Sequence, residues 1–172
     1  VDGAIKGLKS PQDYPLIHYK ERSKIITGKV LGKVFENLVR NYNNLYVLTA
    51  DTGSSTGALH VKNVDSSRYR DFGCREQYLT LATVGYERLG YPVIACTFSQ
   101  FLSNRSREQI ITLSQHVDSS DLKSSIILFG THQGLSSGKD DMSHHSINTY
   151  TLSSIPHLNL LHASDTVQLE AF

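Results

Sequence analysis

The 172-residue sequence carries almost no net charge: 17 Lys and Arg stand against 16 Asp and Glu, for a formal +1. Because these charges are spread along the chain and form no block, the electrostatic footprint of a nucleic-acid or anionic-membrane binder is missing. Small molecules or a protein partner are the expected ligands. Cysteine is scarce too. Cys74 and Cys96 lie among apolar residues without metal-ligand spacing, which argues against a disulfide framework and predicts two buried thiols in a reducing compartment. No apolar run approaches the ~18 to 20 residues of a membrane span, and the first residues lack the basic-then-apolar order of a signal peptide. A soluble, cytoplasmic protein is expected. The sequence starts without Met and stops at Glu170-Ala171-Phe172 inside an unfinished amphipathic pattern, as a piece of a longer protein would.

What is present is enough for one core, with 39% hydrophobic residues at a common single-domain size. Residues 1–22, with Pro11 and Pro15 and no period, read as a linker or arm, and 23–172 as the domain. Ile26, Val30, Val34 and Leu38 recur every fourth position opposite Lys29, Lys33, Glu36 and Arg40, which predicts an amphipathic helix. The apolar run 45–48 reads as a buried strand. Further strands are expected at 69–72, 92–98, 125–129 and 158–161, and helices at 75–89 and 106–117. This alternation predicts an α/β fold, a mainly parallel sheet with helices on both faces.

In such sheets the loops after the strands carry the chemistry, so segments 51–57, 73–77, 97–104 and 130–145 become the candidates. Gly73-Cys74-Arg75-Glu76-Gln77 opens a helix, and an acid in that first turn also serves as a capping charge. Phe98 and Phe101 stand at another strand end. The segment from Gly130 gathers His132, Asp140, Asp141, His144 and His145 between glycines, which packing alone does not explain. Adjacent His144 and His145 point apart in most backbone conformations, a poor start for zinc, and no serine sits in a Gly-x-Ser-x-Gly elbow.

The order of these motifs resembles the central, pyrimidine-binding domain of the transketolase family. Ala50-Asp51, Ser54-Ser55, Gly73-x-Arg75-Glu76-Gln77, Thr97-Phe98-x-x-Phe101, Thr131-His132, Gly138-x-Asp140, His144 and Ile155-Pro156 carry the likeness. It runs from about Ile26 to the last residue. The resemblance implies thiamin diphosphate as cofactor, with magnesium and the diphosphate held by a domain or subunit absent from this chain. It implies Glu76 as the carboxyl group on N1′ of the aminopyrimidine, its pKa raised by burial against Phe98 and Phe101. Asp51 corresponds to a residue near the cofactor and subunit interface. His132 and His144 correspond to catalytic and substrate contacts, Asp140 to a hydroxyl contact, and Ser55 to a substrate-phosphate donor. The implied partners are a ketol donor, an aldehyde acceptor and further subunits, as a homodimer or heterotetramer.

Three departures bear on substrate. Gly28 stands near the family's phosphate-gripping arginine, Asp140-Asp141-Met142-Ser143-His144 replaces an Asp-Gly-Pro-Thr-His stretch, and Ser153 replaces an arginine. The alternatives are a deoxyxylulose-phosphate synthase, a dehydrogenase β subunit, or a non-catalytic interaction module of the same fold.

Overall fold

The computed structural model describes residues 27–119, 121–133 and 150–163. Eight elements follow in order: α1 (Thr27–Asn41), β1 (Tyr46–Thr49), β2 (Tyr69–Asp71), α2 (Glu76–Arg88), β3 (Val93–Phe98), α3 (Arg107–Ser119), β4 (Ile126–Thr131) and the short α4 (Tyr150–Ser153). Two 3₁₀ turns, Ala58–Asn63 and Ser66–Arg68, connect β1 to β2, and a π-helical turn, Phe101–Arg105, follows β3. The expected arm, residues 1–22, lies outside the described residues, and so do Asp140, Asp141, Met142, His144 and His145.

The four strands form one parallel sheet in the order β2-β1-β3-β4. The expected α/β fold is therefore present. The step from β1 to β2 runs in one direction along the sheet, while the steps from β2 to β3 and from β3 to β4 run in the other. If all parallel crossovers keep the usual right hand, connections of opposite direction fall on opposite faces. The packing follows that rule. Leu31, Phe35 and Val39 of α1 meet Ala58 and Val61 of the first 3₁₀ turn over Val47, Ile94 and Cys96. On the other face Leu79 of α2 covers Leu48 and Ala95, and α3 adds Ile110 against Leu152 and Ile155. Central β3 is buried along its whole length, which explains why its sequence, apolar except for Thr97, shows no alternation.

Glycine sets how closely α1 approaches. Gly57 has φ 79, and a Cβ there would lie 2.3 Å from the Gly28 carbonyl oxygen, while a Cβ on Gly28 would lie 2.9 Å from the Ser55 carbonyl oxygen. Only hydrogen fits between the helix and this loop.

Two expectations are corrected here. Residues 158–161 form no strand: Leu158 packs against the α3 cluster, while Leu160 and Leu161 are exposed, and no strand among the described residues pairs with them. Cys74 is exposed, on the turn into α2, whereas Cys96 is buried in β3 as expected. Burial pushes the Cys96 thiol up to about 12. Among the described residues no helix is long and apolar enough to cross a membrane.

Candidate functional site

Strand order reverses between β1 and β3, so a crevice is expected outside their carboxyl ends. Asp51 follows β1, Glu76 opens the helix after β2, the Phe98–Phe101 pair ends β3, and His132 follows β4. Described residues from each of the four segments singled out in the sequence thus lie at one edge of the sheet.

Glu76 is the first residue of α2, where the unpaired amide N–H groups and the helix dipole favour an acid. It is 3% exposed, which simple capping of a surface helix does not require. Its Oε1 accepts a hydrogen bond from Arg105 Nη1 at 2.8 Å. The sequence reading put this carboxyl group against aromatic rings alone; the structure pairs it with a guanidinium.

Phe98 and Phe101 stack, with ring centroids 5.4 Å apart and planes 28° from parallel. The two rings form an aromatic wall, because the chain turns helically at the strand end and brings residues three apart to the same side. Arg105, four residues after Phe101, lays its guanidinium over the Phe101 ring at 3.9 Å. The same cation therefore touches the acid and the wall.

His132 sits 4.3 Å from the Phe98 centroid, and its Nδ1 is 2.9 Å from the Thr131 hydroxyl. Its φ is 57, a left-handed conformation rare for a residue with a side chain. Asp51 shares that value. Two such residues at the carboxyl ends of strands mark the positions where the backbone is bent to aim a side chain.

Asp71, which the sequence reading passed over, fixes the Asp51 turn. Its Oδ1 accepts from the amide N–H groups of Asp51 and Gly73, each at 2.9 Å, and its Oδ2 accepts from the Tyr69 hydroxyl. Burial, with Asp71 alongside, holds that phenol well above its ordinary value. Cys74 Sγ donates to Asp51 Oδ2 at 3.4 Å, and this bond and the Asp51 charge push the exposed thiol up.

Ser55 is exposed, and its main chain is committed to the close contact with Gly28. Among the described residues no group of three or more His, Cys, Asp or Glu is placed to hold a metal ion. Asp140 and His144 lie outside the described residues, so the structure brings together Glu76, Phe98, Phe101, His132 and Asp51 at this edge and leaves Ser55 on the α1 side.

Arg105 is the residue that sequence reasoning missed at the centre of the site. The signal was the four-residue step from Phe101, readable only if the segment after β3 is taken as helical and not as a loop.

A buried carboxyl group beside a stacked pair of aromatic rings suits a flat heteroaromatic ring that offers a nitrogen to the acid. Comparison with known proteins gives the same direction. The family pattern described as "Transketolase, pyrimidine binding domain" matches residues 23–172. A Methanocaldococcus jannaschii protein assigned as a transketolase C-terminal section is 31% identical over 116 residues, covering 67% of this chain and 35% of that protein. A 1-deoxy-D-xylulose-5-phosphate synthase of Pelotomaculum thermopropionicum is 23% identical over 143 residues, covering 83% of this chain and 21% of its own. A solved structure titled as a split gene transketolase in an inactive beta4 tetramer superposes with a TM-score of 0.60 at 23% identity, over 84% of this chain and 47% of that one. The chain thus spans about a third or less of the curated relatives it matches.

Proposed function

Because the chain belongs to the transketolase pyrimidine-binding domain family, we propose that its sheet edge is the pyrimidine half of a thiamin diphosphate site in a ketol-transferring enzyme. The single observation that carries this reading is Glu76, a carboxylate 3% exposed at the start of α2, joined through Arg105 to the stacked Phe98 and Phe101. When bound, thiamin diphosphate supplies an acidic C2–H group and an electron sink for carbonyl chemistry.

The chain's own residues have the following work in this reading. Glu76 accepts and returns a proton at the ring nitrogen N1′, and its burial excludes water that would compete for that hydrogen bond. Phe98 and Phe101 offer the ring a π face and an edge. His132, bent toward the wall by its left-handed backbone, borders the channel with an imidazole able to donate or accept near neutral pH. Asp51 lines the neighbouring strand end, and Asp140 and His144 complete the substrate contacts.

The substrate channel departs from the family at Gly28. A phosphate in a partly closed channel needs guanidinium or ammonium partners, and the Ser55 hydroxyl alone does not offset its desolvation. Small unphosphorylated ketols or keto acids are therefore the proposed donors. The short coverage of the relatives supports a second, diphosphate-binding domain or subunit that supplies magnesium and diphosphate contacts, in a homodimer or heterotetramer. The likeness to a deoxyxylulose-phosphate synthase favours a second reading, in which the same cofactor half serves a synthase.

Calorimetry tests the division of labour. The full chain with thiamin diphosphate and magnesium should bind weakly alone and tightly once a diphosphate-binding partner is added. Micromolar affinity of this chain alone would overturn the proposal.

A further inference from the structure

The guanidinium of Arg105 makes two contacts among the described residues that an aminopyrimidine would also make. It donates from Nη1 to Oε1 of Glu76 at 2.8 Å, and it lies flat over Phe101 at 3.9 Å. Both groups are planar and nitrogen-rich, and both suit an aromatic face; the guanidinium donates to the carboxylate outright, and the ring does so when N1′ holds the proton it shares with Glu76. The Glu76 carboxylate accepts no other hydrogen bond among the described residues, so the cation compensates a side chain that would otherwise be buried alone. The Arg105 side chain is 47% exposed while that of Glu76 is 4% exposed. One end of the pair is fixed and the other reaches water.

We propose that Arg105 is an internal stand-in for the cofactor ring, occupying Glu76 and Phe101 in the free chain and swinging to solvent when the aminopyrimidine binds. The inference rests on the cofactor reading of Glu76 given above. It makes Arg105 a positioning residue that keeps the carboxylate buried and ready without cofactor, at the cost of competing with it. The competing state lowers the apparent affinity by the fraction of molecules in which the site is open. The Arg105 side chain makes no other hydrogen bond or ion pair among the described residues, so beyond the Glu76 bond and the Phe101 contact nothing there must be broken for it to leave.

The test uses the full 172-residue chain and 4-amino-5-hydroxymethyl-2-methylpyrimidine as probe, titrated into the tens of millimolar and followed by NMR. Arg105→Met keeps the apolar stem over Phe101 and removes the competing donor, so it should bind the probe roughly tenfold more tightly than wild type. Arg105→Gln, run alongside, should move the same way and guards against a folding defect peculiar to methionine. In wild type, the Arg105 Nε–H resonance should shift to the position of an exposed arginine as the probe saturates. If both variants bind as wild type or more weakly while Glu76→Gln abolishes binding, Arg105 is a fixed clamp and the inference falls, with the cofactor reading intact. If Glu76→Gln binds as well as wild type, or no form binds at all, the cofactor reading itself fails and takes the inference with it.

Discussion

Glu87 gives the sharpest stability test, because its burial cannot be explained by its place on the helix. It lies in the last turn of α2, where the dipole disfavours an acid, yet it is 1% exposed. Its Oε2 accepts from His116 Nε2 at 2.9 Å, and its Oε1 accepts from the Lys123 amide at the entry to β4. His116 Nδ1 accepts from Arg88 at 3.3 Å, so Nε2 carries the hydrogen that Glu87 takes. One carboxylate thus ties α2 to α3 and to the loop before β4. Burial works to raise this carboxyl group, but the bonds from His116 and Lys123 outweigh it and hold it below the ordinary value of 4.5. A depressed folded value means the contribution is fully present above the unfolded value and is lost as pH falls through the folded one. Glu87→Gln keeps the shape and removes the charge, which for charge-assisted bonds is worth about 1.5–3 kcal/mol. With a urea slope of about 2 kcal/mol/M, the midpoint should drop by about 1 M at neutral pH. The gap between variant and wild type should close in acid, as pH falls below 4.5 and through the lowered folded value. Urea melts of the full chain at neutral and acid pH read this directly. A midpoint shift under about 0.2 M at neutral pH, or a gap that persists in acid, would refute the argument.

Two further outcomes follow from the geometry. Alkylation of Cys74 by iodoacetamide should be slow in wild type and faster in Asp51→Asn, by about threefold or more at mildly alkaline pH, since the carboxylate that disfavours the thiolate is gone. Equal rates, by mass spectrometry, would show that the 3.4 Å contact has no effect on the thiol; Cys96 should react only after unfolding. Restoring the family's arginine by Gly28→Arg should fail to improve use of phosphorylated donors and should lower the melting temperature, because the new Cβ meets the Ser55 carbonyl at 2.9 Å. A folded, phosphate-preferring Gly28→Arg enzyme would mean that α1 can retreat.

Much of the sheet was legible in the sequence because buried parallel strands write themselves as short apolar runs; 45–48, 92–98 and 125–129 each lie within a residue or two of an observed strand, and so does the edge segment 69–72, which carries Arg70 and Asp71. The same rule misread 158–161. An apolar run of four is also what a coil uses to pack one leucine on a helix, and nothing local distinguishes the two. Cys74 was placed inside for a similar reason: Phe72 precedes it, but the turn into α2 carries it outward. Glu76, Phe98, Phe101 and His132 could be named from motif order, since each follows a strand and chemistry sits at strand ends. Arg105, Asp71 and the Glu87–His116 pair could not. Their roles depend on which charges meet in three dimensions, and Arg105 and Glu76 are separated by 29 positions.

The proposed role of this sheet edge turns on the carboxyl chemistry of Glu76, and one substitution isolates it. Glu76→Gln, measured as kcat in the enzyme completed by the proposed diphosphate-binding partner, should fold as wild type and lose turnover by ~10²- to 10⁴-fold, the usual worth of a proton-transferring group. Activity within a factor of about three of wild type would contradict the account and return Glu76 to the plain role of an acid at the start of a helix.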